Sequence, residues 1–197
     1  MTGSLTFVGD SLTAGGRWDE WFPEFNVHNH GTGGATTADV LAGIDMLLAE
    51  EPDAIVLLIG TNDLAWRKSV EHVVRNIESI LVTAHKRLPQ TRLLVQSVLP
   101  REPDFAPAIR DINRHLRQFS ATVRAQYLDL WPVLADDRGG LSPLHSEDGL
   151  HLTAPGYDSW LSELRPAVER LFAVPIVTTP IDTIAIDSNR DGAAAGR

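Results

Sequence analysis

A serine hydroxyl becomes a useful nucleophile only when a base takes its proton, and this chain holds residues that could assemble such a device. Ser11 stands in "FVGDSLT" (7–13), where apolar and β-prone residues run into Gly9 and then into an acid, a serine and a threonine. Taken alone, a serine at that position is a helix N-cap rather than a nucleophile. Far along the chain, "SEDGLH" (146–151) supplies Asp148 and His151, with Gly149 between them to let the loop fold. The Asp148 carboxylate can then accept from His151 Nδ1–H while Nε2 faces Ser11, the arrangement that acyl transfer requires. Donors for a developing oxyanion are also at hand. The Ser11 backbone N–H is free at a strand-to-helix turn. "HGTGGATT" (30–37) packs glycines into a short turn that lets backbone approach a ligand, and "GTND" (60–63) offers the Asn62 amide as a neutral donor.

These loops need a scaffold that brings them together. "SLTFVG" (4–9), "FNVHNH" (25–30), "DAIVLLIG" (53–60), "RLLVQSVL" (92–99) and "AQYLDL" (125–130) read as strands. The third and fourth are nearly continuous apolar runs, as in central parallel strands covered on both faces. Between them, apolar residues repeat with helical spacing over Val40–Leu48, Val70–Leu81 and Ile109–Val123. A last helix starts near Thr153, carries Trp160, Leu164, Val168 and Leu171 on its inner face, and meets a kink at Pro166. Alternating strands and helices predict an α/β domain: a three-layer α/β/α sandwich with a flavodoxin-like five-stranded parallel sheet, order 2-1-3-4-5. In such sheets ligands sit beyond the carboxyl ends of the strands, where all four polar loops fall. The catalytic domain is expected over 1–173. Residues 174–197 read as a tail in which "IDTIAID" is a candidate edge strand.

The set GDSL (9–12), Gly34 in "GTGGATT", GTND (60–63) and DGLH (148–151) resembles the SGNH-hydrolase family, also called GDSL esterases and lipases. "VQSVLPR" (95–101), "INRHL" (112–116) and "HLTAPGY" (151–157) are similar to further family segments, so the likeness spans residues 5 to 172. The resemblance implies Ser11 as nucleophile, His151 as general base and then acid, and Asp148 as its orienter. It implies an oxyanion hole of Ser11 N–H, Gly34 N–H and the Asn62 side chain, with Gly33 the fallback for Gly34. Asp63 is expected to be structural, and Asp10 to tie the serine loop together. "GDSLT" is not the G-x-S-x-G elbow of α/β-hydrolases, for no glycine stands two residues after Ser11. Trp18, Trp21 and Trp66 follow the polar loops closely; Leu12, Leu64 and Trp66 are the expected pocket-lining residues, while Trp21 is the one of the three tryptophans expected in the core.

Bulk properties narrow the partners. A net charge of −9 and a pI near 5.1 disfavour nucleic acid and anionic membranes. The absence of cysteine excludes thiol catalysis, disulfides and thiolate-bound metals. No signal peptide is expected from "MTGSLTFVGD", and no apolar run suits a membrane span, so a soluble cytoplasmic protein is expected. His28 and His30 point the same way from a strand end as a candidate metal pair, but no third ligand is evident, so no metal and no cofactor are expected. "DSNRDG" (187–192) matches the first half of a calcium loop, whose twelfth-position carboxylate would fall beyond the last residue. His145 reads either as flanking the site or as an exposed loop residue. The expected function is hydrolysis of small acyl esters, with short-chain or O-acetyl groups favoured. Two alternatives stay open: a non-catalytic small-molecule-binding module on the same scaffold, or an acyltransferase using the same acyl-enzyme. Oligomeric state is not legible.

Overall fold

The first strand shows why both faces of the sheet must be covered. A computed structural model describes residues 3–173. In it, β1 (Ser4–Gly9) sends Leu5 and Phe7 to one side and Val8 to the other, all buried. β3 (Ala54–Leu58) is buried at every position, with Ile55 and Leu57 on one face and Ala54, Val56 and Leu58 on the other. β2 (Asn26–Gly31), β4 (Arg92–Gln96) and β5 (Gln126–Leu128) complete a five-stranded sheet of order β2-β1-β3-β4-β5, parallel at every pairing. This is the expected three-layer α/β/α architecture and strand order.

Parallel neighbours need crossovers, and helices supply them on both faces. Short helices α1 (Ser11–Ala14) and α2 (Trp18–Trp21) follow β1, and α3 (Thr37–Ala42) and α4 (Ile44–Leu48) follow β2. α5 (Thr61–Ala65) and α6 (Val70–Arg87) follow β3, and α7 (Ala106–Ser120) follows β4. α8 (Trp131–Leu134) and the terminal α9 (Ala154–Ala173) follow β5. Helices α3 to α7 share one core with Val8, Ile55 and Leu57, whereas α1, α2, α8 and α9 pack on the opposite face. That second core centres on aromatic rings. Trp18 stacks on Phe7 at 4.2 Å between centroids and meets Trp160 edge-on at 5.0 Å.

Several boundaries depart from expectation for identifiable reasons. β4 ends at Gln96 rather than Leu99, because the Asn113 amide of α7 captures the Val98 backbone, donating to its carbonyl at 2.9 Å and accepting its N–H at 2.8 Å. The run expected as one helix over Val40–Leu48 divides at Gly43, which ends α3 and begins α4. Of Trp18, Trp21 and Trp66, Trp18 is the one sealed in the core, and Trp21 is only half-buried. The "IDTIAID" and "DSNRDG" readings lie outside the described residues.

The Trp160 indole donates to Gln96 Oε1 at 2.6 Å, and both residues are buried. Trp160→Phe should lower unfolding free energy by about 1–3 kcal/mol, since it orphans a buried acceptor. Adding Gln96→Leu should recover part of that loss, and chemical denaturation of both single variants and the double variant measures the coupling.

Candidate active site

The turn that presents Ser11 is held from below. A Cβ on Gly9 would stand 2.2 Å from both the Leu58 carbonyl and Thr13 Oγ1, so only glycine lets β1 run flush against β3 while the chain doubles back. Asp10 then caps α1, its Oδ1 accepting from Leu12 N–H at 3.0 Å. The Leu12 carbonyl accepts from Tyr157 Oη–H at 2.8 Å, and the Thr13 carbonyl accepts from the Trp18 indole at 2.7 Å. Burial pushes the Tyr157 phenol up to about 12, with the Asp10 charge a further cause, so it stays a proton donor. Ser11 sits half-buried at the first position of α1.

The loop before α9 comes from the far end of the chain. Gly149 adopts φ +76°, a left-handed conformation that lets residues 148 and 151 face one another. Asp148 Oδ1 accepts from the backbone N–H of Leu150 at 2.9 Å and of His151 at 2.7 Å, and from Ser146 Oγ–H at 3.2 Å. Its Oδ2 lies 2.7 Å from His151 Nδ1, and His151 Nε2 lies 3.2 Å from Ser11 Oγ. The His151 ring contact, then the backbone N–H groups of His151 and Leu150, hold the Asp148 carboxyl far below the usual carboxylate range. Both side chains are 54% exposed, so the pair opens directly to solvent. His145 instead faces α9, its Nε2 3.1 Å from Ser159 Oγ.

Asn62 is bound to the glycine turn through the residue after Gly34. Asn62 Nδ2 donates to the Ala35 carbonyl at 2.9 Å, which ties α5 to the glycine turn and leaves a second amide hydrogen. Asp63, wholly buried, accepts from Thr37 N–H at 2.9 Å and Thr37 Oγ1–H at 2.6 Å. Arg101, itself buried, donates through Nη1 to the Thr61 carbonyl at 3.1 Å and lies over the Phe105 ring. The Asn62 and Asp63 contacts tie the "GTND" loop to the "GTGGATT" loop, and Arg101 ties it to the segment after β4. Neither Arg101 nor Tyr157 was assigned a role from the sequence, although both close segments singled out there; an arginine just after an apolar strand run and a tyrosine in the first turn of the last helix were the available signal.

Two of the three expected pocket walls face the core. Leu12 and Leu64 turn inward, one into each core, because each occupies the apolar side of a short helix laid on the sheet. Trp66 is 71% exposed. A separate cleft of about 660 Å³ is lined by Gly33, Gly34, Val40, Met46 and Leu47 and reaches His30 and Glu50; Ser11, Asn62 and His151 do not line it.

Beneath the serine turn, burial raises Asp10 from 3.8 to about 6, partly offset by the Leu12 N–H and the nearby His151. Its Oδ2 has no hydrogen-bond partner among the described residues. The folded protein therefore holds this proton more tightly than the unfolded chain. Asp10's stability contribution is complete below 3.8 and is lost as pH rises through about 6. Asp10→Asn removes that loss while keeping an acceptor for Leu12. Its stability relative to wild type should rise by about 1 kcal/mol between about pH 5 and about pH 7.5, read from denaturation curves at the two values.

Comparison with known proteins follows the same outline. Residues 7–158 match the model of the GDSL-like lipase/acylhydrolase family. The human platelet-activating factor acetylhydrolase IB subunit alpha1 is 30% identical over 180 residues, covering 86% of this chain and 77% of that protein. Among solved structures, a GDSL-like lipase from Bacteroides thetaiotaomicron superposes with a TM-score of 0.77 at 22% identity, covering 85% of this chain and 88% of that one. A family 3 carbohydrate esterase from Clostridium thermocellum does so with a TM-score of 0.72 at 19% identity, covering 88% and 98%. Those two likenesses concern the fold. The match over residues 7–158 and the human relative together show that the chain belongs to the GDSL-like lipase/acylhydrolase family and is an ester hydrolase of the SGNH type.

Proposed function

We propose that the protein cleaves short-chain acyl esters, acetyl esters above all, through a Ser11–His151–Asp148 triad. The observation that carries this reading is the continuous polar chain from Ser11 Oγ to His151 Nε2 at 3.2 Å and from His151 Nδ1 to Asp148 Oδ2 at 2.7 Å. Ser11 Oγ attacks the acyl carbonyl carbon as its proton passes to His151 Nε2. The imidazolium is stabilised by Asp148, which remains ionised throughout. The tetrahedral oxyanion is met by the N–H groups of Ser11 and Gly34 and by the free hydrogen of Asn62 Nδ2. His151 then returns its proton to the leaving alcohol, and water repeats both steps to release the acid and restore Ser11. The openness of the Asp148–His151 pair favours a small ester that itself excludes water from the imidazole. The acetyl preference is supported by the human relative, which is named for acetyl hydrolysis.

Purified protein should hydrolyse p-nitrophenyl acetate faster than p-nitrophenyl octanoate. Ser11→Ala should reduce acetate turnover to the background rate, and intact-mass analysis should detect an acetyl adduct in wild type alone. Equal rates for wild type and Ser11→Ala would remove Ser11 from the mechanism. Asn62→Ala should lower kcat by about 10²–10³-fold with a smaller change in KM, because the lost donor acts chiefly in the transition state.

A further inference from the structure

The sequence offers His28 and His30 as a pair without a third ligand, and the fold delivers one. β2 is an edge strand, and residues two apart on it share a face. That face looks toward α4, and Glu50, two residues beyond the end of α4, comes back over it. His30 Nε2 lies 3.0 Å from Glu50 Oε2, and His28 Nδ1 lies 3.7 Å from the same oxygen. One ligand atom from each of the three residues can be chosen so that all lie within 4.8 Å of one another. The two imidazole planes are within 8° of parallel. Asn26 places its amide nitrogen 3.0 Å from His28 Nε2 on the outer side of that ring.

We propose that His28, His30 and Glu50 form a binding site for a borderline divalent cation of the Zn²⁺ class. Two imidazoles and one carboxylate are a donor set that Zn²⁺ accepts, whereas Ca²⁺ and Mg²⁺ favour oxygen donors throughout. Bond lengths of about 2.0–2.2 Å at a tetrahedral ion put neighbouring donors about 3.3 Å apart. The two separations to Glu50 bracket that value, and the His28 and His30 donors, which lie within 4.8 Å of one another, close on an ion by side-chain rotation. With its amide turned to present oxygen, Asn26 accepts from His28 Nε2–H and leaves the Nδ1 lone pair for the ion, a common second contact for a ligating histidine. The three side chains are between 35% and 40% exposed, which provides an entry path and leaves a fourth position for water or an anionic ligand. His30 and Glu50 also line the cleft that reaches Gly33 and Gly34. A simple His30–Glu50 ion pair explains neither the second imidazole directed at the same carboxylate oxygen nor the amide held against its far nitrogen.

The site is independent of the hydrolytic reading, and binding tests it without any activity assay. The full-length chain, freed of metal by chelation and dialysis, is titrated with ZnCl₂ by calorimetry and with CoCl₂ by visible absorption. We expect one micromolar Zn²⁺ site and an intense tetrahedral Co²⁺ band. His28→Ala, His30→Ala and Glu50→Gln should each weaken Zn²⁺ binding by more than about tenfold, and Asn26→Ala by about tenfold. Circular dichroism confirms that each variant is folded, and Glu50→Gln is the mildest change should a histidine variant unfold. His151→Ala should leave the Zn²⁺ isotherm unchanged. Absence of saturable binding in wild type, binding untouched by Glu50→Gln, or binding abolished by His151→Ala would each overturn the proposal.

Discussion

Parallel pairing is the constraint on which the rest of this molecule depends. Strands that all run the same way place every carboxyl end at one edge of the sheet. The turns after β1, β2 and β3 therefore emerge side by side although they lie far apart in sequence. The fourth loop, before α9, reaches the same edge because the long helix must cover the apolar face below, where Trp160 and Leu164 fill the core. Burial of that helix brings His151 back to Ser11 across the full length of the domain.

Hydrophobic packing sets where the loops are, and buried polar contacts set how they are held. Asp63, Arg101, Asn113 and Tyr157 each satisfy backbone or hydroxyl groups at the ends of elements. Such groups are costly to bury unpaired, so each defines one loop conformation and penalises others. Asp10 is an exception. One of its oxygens caps α1, while the other is buried without a partner among the described residues. That cost lies directly under the serine, although Thr6, Arg92, Tyr127 and His145 each also hold a buried side-chain atom without a partner among the described residues.

Much of the fold was legible before any coordinate. Strand identities follow from β-branched runs and the parallel sheet from strand–helix alternation, while the order 2-1-3-4-5 was the flavodoxin-like choice for five strands. The misreadings share one cause, which is that local pattern carries no information about a distant partner. Nothing in "LLVQSVL" announces that the Asn113 amide will take the Val98 backbone and end the strand early. Nothing in "GDSL" or "GTND" says that Leu12 and Leu64 face inward, because the inner side of a four- or five-residue helix depends on where the sheet lies.

By itself the sequence determined the residue types and the spacing of the chemistry: Ser11 at a strand end, Asp148 and His151 three apart, Asn62 after a third strand, and two histidines on one face of an edge strand. Those follow from periodicity and side-chain chemistry, which are local properties. The tertiary structure alone decided the 3.2 Å approach of His151 to Ser11, the clamp of Asp63 on Thr37, the cleft beside Gly34 and the arrival of Glu50 at His28 and His30. Each is a contact between segments 20 or more residues apart, set by which apolar faces the whole chain buries against one another.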